Sequence, residues 1–314
     1  MPQLPPDSIL RAPGRSGESV VAELGAWFGE GRKLVDAALD SRLPPDSDTD
    51  VVCQAMRYAV FSGGKRLRPL LTLLTGDALG LSRDDVLPFA CSLEMVHTYS
   101  LVHDDLPAMD NDDLRRGRAT CHVVYGVATA MLAGSALLTR AFEILGLAYE
   151  NLPAPRLARL LSTYARAAGT HGMVGGQSRD LTAERRNVSL AELEQIHARK
   201  TGALIAVSLT GAGCIAGVDE PTLAALDRYG EDLGLIFQIR DDLLDHEGTT
   251  ADLGKTPGKD AASGKATYPR ILGFDATRQR LHETIVRAED AAAALPGKRD
   301  TFRALVHWAA TRKS

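Results

Sequence analysis

Apolar residues in this chain recur at spacings of three and four over long stretches, while β-branched alternation is almost absent. VVAELGAWFGEGRKLVDAALD, PTLAALDRYGEDLGLIFQIRDDLLD and RQRLHETIVRAEDAAAAL all carry that period. It restricts the chain to burying helix against helix. Alanine and leucine dominate, and aromatic residues make up only 5% of the sequence, which removes most of what would favour strands. Short breakers punctuate the periodic stretches: RLPPDSD, SGGKRLRP, NLPAP and GVDEP. One longer polar segment, HEGTTADLGKTPGKDAASGKATYP, precedes the last of them. The expected architecture is all-α, a bundle of about ten core helices with mostly short connections. No period of solenoid length is evident.

With 314 residues, 45% of them hydrophobic, the chain can bury a large core. No proline- or serine-rich linker divides it after residue 50, so we expect one domain over residues 19–314. Residues 1–18, rich in proline and glycine and lacking an apolar signal core, read as a disordered tail. A net charge of -4 with no dominant basic face excludes bulk nucleic-acid binding. Cys53, Cys91, Cys121 and Cys214 are widely spaced and form no CxxC or Cys/His group, which predicts free thiols rather than a zinc site. The uncharged stretch TGALIAVSLTGAGCIAGV, residues 201–218, only reaches the short edge of membrane-spanning length and is diluted by small residues. A buried helix in a cytoplasmic protein without a membrane span is the expectation.

Two of the apolar helices run directly into carboxylates. SLEMVHTYSLVH is followed by DDLPAMD at 104–110, and LGLIFQI leads to DDLLD at 241–245, with the two clusters 137 residues apart. Asp241 and Asp245 are four apart and share a helix face, with Asp242 beside them; like charges so spaced destabilise a helix unless a counter-charge binds. Asp104 and Asp110 do not align on a regular helix, so Pro107 should end or distort it and let Asp110 turn back. One such cluster could be a solvated helix end. Two of them suggest facing acidic walls that hold Mg²⁺ and phosphate, because a hard cation takes carboxylate oxygens and leaves positions for water or phosphate. Basic residues match this reading: Lys65, Arg66 and Arg68 after paired glycines, Arg115 and Arg116 after the first cluster, Lys200 with Thr201 at the opening of an apolar helix, and Lys255 and Lys265 after the second cluster. Together they imply two anionic groups, one bridged to aspartates by metal and one held by Arg and Lys alone. His97, seven residues before Asp104, lies on nearly the same helix face.

GGKRLRP, DDLPAMD, LRRG, GGQSRD, HARKTGAL, FQIRDDLLD and LGK–GKATYP, in this order from about residue 50 to 270, resemble the trans-prenyl diphosphate synthases, and within them the bacterial farnesyl type. The resemblance implies helices around a deep central cavity, usually in a homodimer. It also implies head-to-tail condensation of isopentenyl diphosphate with an allylic diphosphate, dimethylallyl or geranyl. By position it implies Mg²⁺, three ions with the allylic diphosphate, on Asp104, Asp105, Asp110, Asp241 and Asp245, with Asp242 in the second motif. Arg115, Lys200, Lys255 and Lys265 would hold the allylic diphosphate; Gly64, Lys65, Arg68, His97 and Arg116 would hold isopentenyl diphosphate. Thr201 and Gln238 would stand near the nascent carbocation, and Gln177 and Asp180 would line the same cavity. Asn111 stands where relatives often carry a further aspartate.

Chain length is open on geometry alone. Ser100, four residues before Asp104, shares its face, whereas Tyr99 lies about 140° round on an ideal helix. The assignment of Tyr99 as cavity floor, and with it a C15 product, comes from the resemblance; geranyl and geranylgeranyl diphosphate are the alternatives. Terpene cyclases share an Asp-rich motif, but they normally place an Asn/Ser/Glu-type motif on the second wall, where this chain has DDLLD. A non-enzymatic Ca²⁺-binding reading leaves the Lys/Arg set unexplained, and the sequence has no EF-hand loop.

Overall fold

The structure, a computed structural model, describes residues 17–184, 186–247, 266–297 and 299–312. The expected tail falls almost wholly outside these residues, and the first helix begins at Gly17. In chain order the helices are α1 Gly17–Asp40, α2 Val51–Val60, α3 Leu67–Ala78, α4 Arg83–Asp104, α5 Cys121–Tyr125, α6 Val127–Ala148, α7 Ala154–Ala168, α8 Met173–Ala183, α9 Leu190–His197, α10 Ala203–Ala216, α11 Glu220–Glu247, α12 Tyr268–Leu272, α13 Phe274–Ala293 and α14 Arg299–Thr311. The all-α architecture is as the spacing predicts. Between α4 and α5 sits a feature that the apolar pattern does not signal, a two-stranded hairpin of β1 Leu114–Arg115 and β2 Arg118–Ala119.

Two central helices carry the core. α4 is buried along almost its whole length and packs on α3, α6 and α10. It starts from a capping box in which the Ser82 hydroxyl accepts from the Asp85 amide while the Asp85 carboxylate takes the Ser82 amide. Asp84 and Asp85 in the first turn also suit the positive end of the helix dipole. α10, the uncharged stretch noted above, is buried from Leu204 to Ile215 and packs against α3, α7 and α11. A helix that is apolar all round has no solvent face to offer. Its backbone still takes part in a tie to α3, where the Thr72 hydroxyl donates to the Ser208 carbonyl at 2.9 Å. α13 and α14 cover α11 from the other side, and α1 closes over α14, α3 and α4.

Among the described residues one helix, α6, is long and apolar enough to cross a membrane. It packs on α4 through Ala130, Ala133, Gly134, Leu137 and Ala141, and leaves Val127, Met131, Leu132 and Leu147 exposed. All four cysteines are free thiols, three of them buried.

Candidate active site

The first acidic wall is built by the way α4 stops. Asp105 caps the helix two residues ahead of Pro107, and the chain then folds back on itself. The Asp110 amide donates to the Asp104 carbonyl at 2.8 Å, and the Asp112 amide donates to the Asp105 carbonyl at 3.2 Å. Asp110 therefore does return to Asp104, as expected. Asn111 makes the turn at φ 50°, a left-handed conformation that asparagine enters more readily than most residues. Burial pushes the Asp104 carboxyl up to about 6; Lys200 and Arg115 pull it down, while Asp110 and Asp105 push it further up. A carboxylate crowded in this way is stabilised by an added cation.

The two aspartates of the DD pair do different things. Asp105 is only 3% exposed and is gripped by Arg115, whose Nε lies 2.8 and 3.0 Å from the two carboxylate oxygens. With Arg115 Nη2 also 2.6 Å from Asp105 Oδ1, two guanidinium nitrogens grip one carboxylate and fix both partners. The second wall repeats the division. Asp241 is exposed over 57% of its side chain, whereas Asp242 is 5% exposed and accepts from the Tyr268 amide at 2.9 Å and from Gln238 Nε2 at 3.3 Å. His197 Nε2 stands 3.9 Å from Asp242. This is not an ion pair, because burial drives the imidazole down to about 4 and keeps it neutral.

Lys200 and Thr201 do not open a helix. The chain is helical from Leu190 through Ala216, and Ala198–Gly202 within it form a π-turn. Gly202 stands just before the apolar run but does not break the helix, which continues and takes up one extra residue in the turn. Two close approaches frame this turn. A Cβ on Gly176 of α8 would lie 2.2 Å from the Lys200 amide nitrogen, and one on Gly234 of α11 would lie 2.8 Å from the Gly202 Cα. Lys200 reaches the Asp180 carboxylate at 2.6 Å, and Thr201 donates to the Gln238 side-chain oxygen at 3.1 Å. Both amide atoms of Gln177 are buried without a hydrogen-bond partner, a state that buried polar groups rarely tolerate without a ligand or water.

The cationic pocket draws on three distant segments. Arg116 and Gly117 form the tip of the hairpin at φ 55° and 76°, the left-handed pair that a two-residue type I′ turn requires. Arg116 then donates to the Gly63 carbonyl. A Cβ on Gly64 would lie 2.6 Å from Arg116 Nη1, and its φ of +137° suits only glycine. His97 is held far below its usual range, first by burial and then by Arg68, Arg116, Arg115 and Arg66, so it stays a neutral donor. Burial weakens Arg68 to about 10, against the pull of Glu94, and the guanidinium remains charged at neutral pH. Lys65 lies in the field of Arg312, Asp241 and Arg116. Gly64, Lys65, Arg68, His97 and Arg116 thus come together. Arg66 does not join them. It turns inward to Glu94 at 2.9 Å, Asp36 at 2.7 Å and the Val60 carbonyl at 2.7 Å, and anchors the loop. Lys255 and Lys265 lie outside the described residues.

Below the mouth, Tyr99 is buried and stands edge-on to His103 with ring centroids 5.7 Å apart. The Ser100 hydroxyl donates to the His97 carbonyl at 2.8 Å. Two turns deeper on the same face of α4, Ser92 donates to the Tyr164 hydroxyl at 2.9 Å, and the rings of Phe89 and Phe142 pack on Tyr164 at 5.3 and 5.2 Å.

The sequence reading missed Arg312. At the end of α14 it places its guanidinium 4.6 Å from the centre of the Phe237 ring and donates to the Asp241 carboxylate. A basic residue after an apolar helix carries no spacing signal that would have revealed this contact.

A family model for polyprenyl synthetases matches residues 49–296, and the chain belongs to that family. It is 40% identical over 306 residues to a dimethylallyltranstransferase of Fischerella ambigua, covering 97% of this chain and 88% of that protein. It is 47% identical over 244 residues to the farnesyl diphosphate synthase of Escherichia coli, covering 77% and 81%. The crystal structure of an FPP/GFPP synthase from Zymomonas mobilis superposes with a TM-score of 0.81 at 33% identity, covering 92% of this chain and 99% of that one.

Proposed function

We infer that this chain condenses isopentenyl diphosphate head-to-tail with dimethylallyl and then geranyl diphosphate, giving the C15 farnesyl diphosphate and free diphosphate. One observation carries the reading: two core helices, α4 and α11, each run into paired aspartates that have Lys200, Arg115 and Arg312 among their neighbours, and Lys65, Arg68, His97 and Arg116 form a second cationic group close by. A hydrocarbon with an anionic head needs that abrupt change of environment, and two such substrates need two anion sites of different kinds.

Mg²⁺ fits the donor set. Among the described residues no three His, Cys, Asp or Glu side chains cage a metal. An ion that keeps its waters and takes phosphate oxygens needs only one or two carboxylates from the protein. Asp104, crowded by burial and by Asp110, supplies one; Asp110, Asp241 and Asp245 complete the oxygen set. Asp105 serves this site by holding Arg115 in place. Mg²⁺ bound there supplies positive charge against the departing diphosphate. Arg115 and Lys200 add fixed cations at the same place, and Lys255 and Lys265 would extend that set. The oxygens of Thr201 and Gln238 face the region where positive charge develops on the allyl group. Gln177 and Asp180 line the cavity on the α8 side. The buried bundle excludes water from the cation.

The exposed apolar residues of α5 and α6, among them Val123, Val124, Val127, Met131 and Leu132, suit a homodimer in the cytoplasm, since a contiguous apolar face on a soluble protein marks a contact surface. Incubation with isopentenyl and dimethylallyl diphosphates, with and without Mg²⁺, tests the reaction, and chromatography of the products reads the chain length. Wild-type enzyme is expected to stop at C15. Tyr99→Ala is expected to move the main product to C20, with the Tyr164–Phe89–Phe142 cluster still closing the cavity below. An active Tyr99→Ala enzyme that still stops at C15 places the floor elsewhere.

The two anion sites predict a kinetic split. Arg116→Ala should raise KM for isopentenyl diphosphate roughly ten- to a hundredfold, the scale of a lost hydrogen bond to a charged group. KM for geranyl diphosphate should change far less. Steady-state kinetics with each substrate varied in turn reads this, and the opposite pattern would mean that the two sites are interchanged.

A further inference from the structure

Arg312 has no part in the chemistry above, yet it is a firmly held cation beside Asp241. Its side chain is only 8% exposed, while that of Asp241, its partner, is 57% exposed. Three contacts hold the arginine independently of that carboxylate. The guanidinium lies over the Phe237 ring, Nη2 donates to the Phe237 carbonyl at 2.9 Å, and the Arg312 carbonyl accepts from Arg240 Nε at 3.1 Å. The arginine is the fixed member of the pair and Asp241 the adjustable one. A guanidinium cannot shed its charge, so a divalent ion reaching Asp241 meets a resident cation on the same carboxylate.

We propose that Arg312 is a built-in counter-ion for Asp241, which a metal ion must displace before the second acidic wall can bind it. The proposal rests on Asp241 being a metal ligand. Before substrate arrives, Arg312 keeps Asp241 oriented and neutralised, so an ion alone competes poorly for it. The negative charge of a diphosphate group tips the exchange toward the metal, which makes metal binding at this wall conditional on diphosphate. Lys65 adds a further positive charge to the same field and reinforces that condition.

The test is direct binding of Mn²⁺, read by the electron paramagnetic resonance of the free ion, to the full-length protein without substrate and again with inorganic diphosphate. Arg312→Gln should tighten Mn²⁺ binding without diphosphate by about fivefold, the scale of losing a partly exposed ion pair. Adding diphosphate should shrink the difference. Arg312→Lys, which keeps the charge, should stay near wild type. Asp241→Asn should weaken binding, and Arg312→Gln should then have no effect in that background. Unchanged or weaker binding in Arg312→Gln overturns the proposal while leaving Asp241 a ligand. Equal tightening with Asp241 already replaced also overturns it, since the effect would then be one of overall charge. Wild-type Mn²⁺ binding in Asp241→Asn removes both the ligand assignment and the proposal. Thermal melts of each variant confirm that a folded protein is being compared.

Discussion

Asp104→Ala and Asp241→Ala should each lower kcat by at least about a hundredfold, the scale of removing a principal electrostatic stabiliser of the transition state. These two carboxylates are the leading members of their DD pairs. Asp105 is tied to Arg115 and Asp242 to the Tyr268 amide, whereas Asp241 is the more exposed partner of Arg312. Charge grows on the departing diphosphate as the allylic C–O bond breaks, so ions held by Asp104 and Asp241, as proposed, would act more on that step than on ground-state binding. Single-turnover rates at saturating substrate and Mg²⁺ check this. Near-normal kcat in both variants, with folding intact, would refute the assignment of these walls to metal.

Glu94→Ala should destabilise the fold by about 3–5 kcal/mol, because it removes the buried one of the two carboxylates that balance the buried Arg66. Arg66 and Glu94 are both buried, and their 2.9 Å contact ties the loop after α2 to the middle of α4. Arg66 sits at φ 52° as the cap of α3, a conformation that a non-glycine residue holds only when its surroundings fix it. Glu94→Gln keeps an acceptor for the guanidinium and should cost less. Chemical denaturation of both variants against wild type measures the difference. A loss below about 1 kcal/mol in Glu94→Ala would mean that Asp36 and the Val60 carbonyl suffice for Arg66.

What could be read from the sequence was whatever depends on short spacings. The period of three and four gave the helices, and Pro107 with the six-residue interval gave the return of Asp110 to Asp104. The ordered motifs gave the family and the two sets of charges. What could not be read was which way a side chain turns once the helices pack. Lys65, Arg66 and Arg68 look alike in SGGKRLRP, yet Arg66 faces inward because Glu94 waits in the core of an otherwise apolar helix. Within each DD pair the inward residue is fixed by a partner in another segment, Arg115 for Asp105 and Tyr268 for Asp242. Arg312 meets Asp241 from 71 residues away, a distance over which local pattern carries no information. The hairpin of Arg115 and Arg118 is too short for alternation to register.

The π-turn at Ala198–Gly202 makes the direction of Lys200 and Thr201 a matter of counting. A turn with one residue too many is an insertion carried inside a helix. Losing a single codon there would let the helix close into regular α geometry and rotate everything before it by about 100° relative to α10. Lys200 would leave Asp180 with no amino acid of the site exchanged. Point substitutions can only weaken contacts made at this turn, whereas a change in length moves them together. A change in number here therefore alters the site in a way that no single change of letter does, and a comparison that scores identities alone would overlook it.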